Sequence, residues 1–215
     1  MNITSTFTTH ARIITLAALV LIIPIQGCAS SSTRSKADSK TAHPEIDPTL
    51  AYIQNRRSDA IKHYNTASAL DLDGKPDEAL EEYRRALELD DKLYAAWNNM
   101  GRILMSKGNY ADAVSAYQIA SGIEPTDPRP EFNIGIAYKE VGWAQESFDH
   151  FQLAIERDPT YLPALHGVIR SAEMLGLGDE QILEYIRSAQ LRETNDQWKD
   201  YLSTQYYRVK ALLED

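Results

Sequence analysis

The sequence has 215 residues, of which 43% are hydrophobic and 25% charged, so it is long enough for one sizeable domain with an appendage. Its net charge of −9 disfavours nucleic acid as a partner, because phosphates need stripes of Lys and Arg, and it disfavours broad adhesion to anionic lipid headgroups. The single cysteine, Cys28, excludes a disulfide framework.

The pattern of residues 1–27 is typical of a signal peptide. Residues 1–12 are polar and end in Arg12, and residues 13–25 form an almost entirely apolar run. That run has the length of a signal-peptide core and is shorter than the roughly 20 residues that span a bilayer. Gly27 and Cys28 follow it, and a run of serines begins soon after them.

This arrangement resembles the lipobox of bacterial lipoproteins. In that family a diacylglycerol is attached to the cysteine sulfur, signal peptidase II cleaves before the cysteine, and the new amino group is acylated. Ile25 and Gly27 suit the family's pattern, whereas Pro24 and Gln26 are unusual in it. The resemblance implies that Cys28 carries the lipid, palmitate included. The alternatives are an ordinary signal peptide with an incidental cysteine, and an uncleaved anchor.

The residue after the cysteine is Ala29 rather than aspartate. In Gram-negative bacteria of the enteric type, this resemblance implies the periplasmic face of the outer membrane. Residues 28–46 are rich in Ser, Thr and Lys, and they bury too little apolar area to offset the entropy of ordering. We therefore expect an acylated cysteine followed by a disordered, flexible tether with a reach of roughly 25 Å.

Glycines then recur at a strict spacing of 34 residues: Gly74, Gly108, Gly142 and Gly176. Three ladders of small residues keep the same step: Ala67, Gly101, Gly135; Ala79, Ala113, Ser147; Ala86, Ala120, Ala154. A large aromatic residue recurs at Tyr83, Tyr117 and Phe151. The unit over residues 94–127 is the most complete, with Trp97, Gly101, Ala113, Tyr117, Ala120 and Pro125.

This pattern resembles the tetratricopeptide repeat (TPR). The resemblance implies an all-α fold, a right-handed α–α superhelix of about nine helices. The solenoid would span residues 47–193. Its repeats lie at about 60–93, 94–127, 128–161 and 162–193, the last degenerate because Ile169 and Gln181 replace small residues. We expect a capping helix over residues 194–215, starting after Asn195, and an extended first helix after Asp47.

In this family the first helix of each repeat lines a concave face that binds proteins or peptides. The resemblance implies that the following residues form this face: Tyr64, Asn65, Asn98, Asn99, Arg102, Arg129, Phe132, Asn133, Lys139, His166 and Arg170.

Three of these residues, Asn65, Asn99 and Asn133, form a column at 34-residue spacing. Carboxamides both donate and accept, so such a column suits the backbone of an extended peptide. The alternative is that these asparagines form only local hydrogen bonds between neighbouring helices. The cations on this face suit a partner with an acidic group or a free carboxylate. The chaperone-binding carboxylate clamp of some relatives needs Lys and Asn where this sequence has Tyr64 and Ser68. This mismatch disfavours a carboxylate-clamp role for the protein.

Other chemistries find little support in the sequence. The acidic segment 71–82 superficially resembles a calcium loop, but Lys75 stands at a ligand position and Pro76 stands where the loop needs glycine. The histidines show no metal-binding spacing, and no nucleophile–base pair is evident. We therefore expect no enzyme, no metal and no cofactor.

The sequence thus predicts a lipid-anchored, periplasm-facing adaptor or assembly scaffold that binds another envelope protein and no nucleic acid. Two alternatives remain open. One is a pilotin-like assembly factor for a type IV pilus or secretin system, which is a likeness of architecture alone. The other is a self-associating structural protein without a peptide groove.

Overall fold

The structure is a computed structural model, and it describes residues 47–214. The predicted signal peptide, Cys28 and the predicted tether lie outside the described residues. Nine helices and no strand occupy residues 47–214. They are α1 Pro48–Leu72, α2 Pro76–Leu89, α3 Tyr94–Ser106, α4 Tyr110–Ile123, α5 Arg129–Glu140, α6 Ala144–Arg157, α7 Leu162–Leu175, α8 Glu180–Gln190 and α9 Asp196–Glu214.

The helices pack in chain order, each against the next, and α5 also contacts α7. Short turns join α1 to α2, α3 to α4, α5 to α6 and α7 to α8, so each repeat is one helical hairpin. Sequential packing of hairpins is the arrangement of a solenoid. The all-α prediction is confirmed for this part of the chain. None of these helices is both long and apolar enough to cross a membrane.

A glycine with positive φ turns the chain between the two helices of every repeat. The φ angles of Gly74, Gly108, Gly142 and Gly176 lie between 70° and 81°. In each turn the following residue donates its N–H to a carbonyl five residues earlier, as from Trp143 N to Tyr138 O at 2.9 Å. Glycine is needed because side chains with a Cβ adopt this φ only at a cost.

The two helices of each hairpin approach closely at the predicted small residues. Tyr83, Tyr117 and Phe151 are all buried. A Cβ added to Gly101 would lie 2.8 Å from the Tyr117 ring, and one added to Gly135 would lie 2.7 Å from the Phe151 ring. The aromatic ring of the second helix therefore lies directly on the backbone of the first.

A buried polar cluster joins the second repeat to the third. Glu131 is buried, and its Oε1 accepts hydrogen bonds from Ser121 Oγ and Arg157 Nη2, both at 2.6 Å. Its Oε2 lies 2.7 Å from His150 Nδ1. Burial alone would raise the pKa of Glu131, but the bonds from His150 and Ser121 and the charge of Arg157 hold it below its usual value. Both oxygens of this buried carboxylate thus have a partner.

The first and last helices, α1 and α9, both begin with a side-chain cap. Asp47 accepts a hydrogen bond from Thr49 N at 2.8 Å, and Asn195 accepts one from Trp198 N at 3.1 Å. The interior of α9 is buried at Leu202 and Val209. Leu213, in the last turn of the helix, is 44% exposed.

Two glycine substitutions should change the stability in opposite directions. We expect Gly135→Ala to lower the free energy of unfolding by roughly 1–3 kcal/mol, because its Cβ would overlap the Phe151 ring. Gly122→Ala in α4 should raise it by up to about 1 kcal/mol, because a Cβ there meets no atom and alanine favours a helix. Urea denaturation of both variants measures the difference. Equal effects would contradict the close contact.

Candidate binding groove

The predicted binding residues lie on the first helices of the repeats. Tyr64 and Asn65 are on α1, three more are on α3, four on α5, and His166 and Arg170 are on α7. We call the surface that these residues form the groove face. The structure divides the groove face into a part whose polar groups bond within the protein and a part that remains open.

On the first two repeats, the side chain of Asn99 bonds to neighbouring helices. Its Nδ2 lies 3.3 Å from Tyr64 Oη and 3.2 Å from Tyr83 Oη. The Tyr83 hydroxyl also lies 3.1 Å from Ser68 Oγ. These bonds satisfy a hydroxyl on a buried ring, which would otherwise be costly to desolvate. Asn99 therefore has a structural role, because its side chain links α3 to α1 and α2.

The two other members of the asparagine column differ in their surroundings. Asn133 Nδ2 lies 3.5 Å from Asn98 Oδ1, at the limit of a hydrogen bond. Asn65 is exposed at the α1 end of the column. The column is therefore not a uniform set of free carboxamides.

Two of the predicted arginines are paired with acids. Arg102 pairs with Asp71 on α1. Arg129 donates to Asp127 at 2.6 Å, and Tyr94 Oη donates to the same carboxylate at 2.7 Å. Burial by itself would raise the pKa of Asp127, but the bonds from Arg129 and Tyr94 outweigh it and lower that pKa to about 2. These two cations are therefore largely neutralised within the molecule.

A pocket of about 230 Å³ opens on the groove face between α5, α7 and α9. Four predicted residues line it: Phe132, Lys139, His166 and Arg170. The lining is completed by Ile136, Phe151, Pro163, Gly167 and Trp198. Four of the six predicted residues of the third and fourth repeats therefore come together, whereas Arg129, Asn133 and the predicted residues of α1 and α3 lie outside this pocket.

A glycine lies at the bottom of the pocket. Gly167 lies 34 residues after Asn133, so it occupies the asparagine position of the fourth repeat. A Cβ at Gly167 would lie 2.7 Å from the Phe151 ring, on which Gly135 also packs. Phe132 packs on the same ring with a centroid distance of 5.7 Å. Because residue 167 has no side chain, its backbone lies directly on the buried Phe151 ring, and Phe132 lines the pocket beside it.

Helix α9 contributes an aromatic side to the pocket through Trp198. The indole stacks on the His166 ring at a centroid distance of 3.6 Å and an angle of 7°. The Arg170 guanidinium lies 4.6 Å from the Trp198 ring and 5.6 Å from the Tyr201 ring. Tyr201 in turn donates to Glu173 at 2.7 Å, which ties α9 to α7.

His166 is also close to a carboxylate. Its Nε2 lies 2.8 Å from Glu193 Oε2, in the segment between α8 and α9. Burial lowers the pKa of His166, and the nearby Arg170 lowers it further, against the opposing effect of Glu193. The backbone N–H groups of Asn195 and Thr194 lower the pKa of Glu193. At neutral pH the imidazole is therefore neutral and the carboxylate is charged.

The sequence pattern placed Trp198 within the predicted capping helix and Phe151 in the series of recurring aromatic residues, so neither was predicted as a pocket residue. The 34-residue register gives no signal for Trp198, because the residue one period earlier is Ala164, a buried helix contact. A signal did exist at Gly167, where the asparagine column breaks. That break marks the position at which the groove face deepens.

Two larger clefts lie away from this pocket. One, of about 550 Å³, is lined by the start of α1 and the end of α2, where Arg56 donates to the Glu88 carbonyl at 2.7 Å. The other, of about 320 Å³, is apolar and lies between α4 and α5 beside Trp143, which is 55% exposed. Within residues 47–214 no three His, Asp or Glu side chains converge as a metal site.

Comparison with known proteins supports the repeat assignment. Residues 72–130 match the family described as tetratricopeptide repeat. The chain is 32% identical over 93 residues to photosystem I assembly protein Ycf3 of Prochlorococcus marinus (strain NATL2A), a match that covers 42% of this chain. The chain spans 54% of the length of Ycf3, and only 8% and 7% of two longer relatives from Homo sapiens and Mus musculus.

Solved structures share the fold. The crystal structure of MamA has a TM-score of 0.56 at 18% identity, over 73% of this chain and 89% of MamA. The first TPR of Spaghetti (RPAP3), bound to the HSP90 peptide SRMEEVD, has a TM-score of 0.53 at 17% identity, over 56% and 95%. The predicted all-α solenoid fold is therefore confirmed for residues 47–214.

The contact of His166 with α9 should make stability depend on pH. A histidine whose pKa is lowered on folding contributes stability that is lost as pH falls below its unfolded pKa, about 6.5. Between about pH 7.5 and about pH 5.5, we expect the wild type to lose more unfolding free energy than His166→Gln. Urea denaturation at both values measures this. Because the variant keeps every other histidine, an identical loss in the two proteins would refute the role of His166.

Proposed function

We propose that the protein is an adaptor or assembly scaffold of the bacterial envelope that binds another protein on its groove face. The observation that carries this proposal is the pocket between α5, α7 and α9, whose rim holds Lys139 and Arg170. No acid within residues 47–214 lies in ion-pair distance of Arg170, and Lys139 has only an exposed contact with Glu140 at 3.4 Å. The pocket therefore offers positive charge beside an apolar surface.

This positive charge lies on a protein that is acidic as a whole. A partner segment with an acidic group or a free carboxylate complements it. Two similar proteins support a role in binding and assembly. Ycf3 is named a photosystem I assembly protein, and the TPR of RPAP3 was solved with an HSP90 peptide. The proposal includes no catalytic step, no metal and no cofactor.

We further propose that Cys28 is acylated and that residues 28–46 tether the solenoid to the periplasmic face of the outer membrane. Support comes from the sequence pattern around Cys28 and from the start of the helical region at Pro48. Two or more acyl chains at about 0.8 kcal/mol per buried CH₂ hold a folded domain firmly at a membrane.

A charge-neutralising double variant tests the binding site. We expect Lys139→Gln with Arg170→Gln to reduce capture of the partner from cross-linked envelope extracts at least about tenfold, since charged hydrogen bonds contribute about 1.5–3 kcal/mol each. The control is Arg187→Gln with Lys199→Gln on α8 and α9, which removes the same charge outside the pocket. Capture is quantified by mass spectrometry with the full chain as bait.

Two results would count against the adaptor proposal. If the pocket variant and the control capture the same proteins in the same amounts, the groove face is not the binding surface. If sedimentation shows that the purified wild-type protein forms a stable oligomer and captures nothing else, the self-associating alternative is correct. A secretin or pilus protein lost only from the pocket variant would instead favour the pilotin-like alternative.

The anchor has its own test. We expect the wild type, expressed in a Gram-negative host, to incorporate an alkyne-tagged fatty acid and to sediment with outer membranes. Cys28→Ser should lose the label, because its hydroxyl does not replace the thiolate in lipid transfer. Metabolic labelling followed by membrane fractionation measures both. Unchanged labelling of Cys28→Ser would rule out the lipid anchor at this residue.

A further inference from the structure

We infer that the pocket is an anchor site for one large apolar side chain with a carboxylate beside it, and that α9 is part of this binding site rather than a cover alone. Trp198 supplies one side of the pocket and Arg170 receives the carboxylate. This inference rests on the proposed function, and it specifies the chemistry of the segment that binds.

The repeats themselves provide an internal comparison for the apolar floor. At the asparagine position, only the fourth repeat has glycine, Gly167, whose backbone lies on the fully buried Phe151 ring at the bottom of the pocket. Three positions further along each helix the repeats carry Ser68, Arg102, Ile136 and Arg170, so only the third repeat has an apolar residue there. Both departures enlarge or line the same pocket. Close packing on Phe151 accounts for Gly167, whereas the other three repeats pack without an apolar residue at the position of Ile136, which points to a ligand.

The size of the pocket limits what it can hold. Its volume of about 230 Å³ lies below the roughly 300–1,000 Å³ of sites for drug-sized ligands. One phenylalanine or leucine side chain is therefore a better match than a cofactor. Burying such a side chain contributes about 1.5–3 kcal/mol.

Among the arginines of the groove face, Arg170 is the one best placed to bind a carboxylate. Arg102 and Arg129 are paired with acids, whereas Arg170 is held by the faces of Trp198 and Tyr201. Stacking on rings leaves the N–H donors at the edge of a guanidinium available, and these donors match a carboxylate in pairs. The apolar side chain and the acid must be close in the partner, because Trp198 and Arg170 line one pocket.

The α9 side of the pocket is fixed before a partner binds. Glu173 on α7 accepts hydrogen bonds from Tyr201 and from Gln205 Nε2, each at 2.7 Å. Leu202 is fully buried between these two residues of α9. A side that is already ordered loses little entropy on binding, which favours a specific and compact anchor.

The test uses the full chain in detergent with Trp97→Phe and Trp143→Phe, so that Trp198 is the only fluorescent tryptophan. Three acetylated and amidated tetrapeptides are titrated: Gly-Phe-Asp-Gly, Gly-Phe-Asn-Gly and Gly-Ser-Asp-Gly. We expect saturable binding of the first, with the second and the third each about tenfold weaker, because each lacks one of the two recognised groups.

Variants assign these losses to residues. Arg170→Gln should remove the difference between the Asp and Asn peptides. Ile136→Ser, which installs the residue that the first repeat has, should weaken both Phe peptides several-fold and preserve their ratio. Arg187→Gln on α8 should change nothing. Circular dichroism checks that each variant is folded, so a loss of binding reports on the pocket.

The inference is overturned if the wild type shows no saturable response, or if it binds the Asp and Asn peptides equally. Partner capture that still depends on Lys139 and Arg170 would then leave the adaptor proposal standing. Conversely, if the protein binds the three peptides with the expected differences in affinity while capture of the partner does not depend on Lys139 or Arg170, the inference about the pocket holds and the adaptor proposal fails.

Discussion

The contact of the Phe151 ring with the backbones of Gly135 and Gly167 determines how the third and fourth repeats fit together. A Cβ at either glycine would lie 2.7 Å from that ring, so α5 and α7 approach it as closely as sterics allow. Gly167 and Phe151 both lie at the pocket between these repeats. One packing contact thus joins the two repeats at the place where the pocket lies.

The hydrogen bonds of the groove face depend on which aromatic residue the second helix of each repeat carries. The second helix of the first repeat carries Tyr83, whose hydroxyl needs a partner, and Asn99 provides one. The second helix of the third repeat carries Phe151, which needs no such partner, and the asparagine position that follows it can be glycine, Gly167. On the groove face, Asn99 and Arg102 bond within the protein, whereas Lys139 and Arg170 line the open pocket. This difference is the ground for proposing that a partner binds at the third and fourth repeats.

Much of this architecture could be predicted from the sequence because the repeat is periodic. The glycines at turns and the ladders of small residues each recur at 34 residues, and the structure places them as repeat packing requires. The pairing of Arg129 with Asp127 and the position of Trp198 were not predictable, since neither has an equivalent in the other repeats. The predicted role of Cys28 lies outside the described residues and stays a prediction. A pattern that identifies what repeats share does not reveal what one repeat adds.

The central claim is that binding occurs at the third and fourth repeats together with α9. Hydrogen–deuterium exchange of the full chain, with and without its captured partner, tests this claim most directly. The account predicts slower exchange in α5, α7 and the first turns of α9, with little change in α1 and α3, because the partner orders the pocket and leaves the self-bonded part alone. Protection confined to α1 and α3, or to the second helices of the repeats, would contradict it.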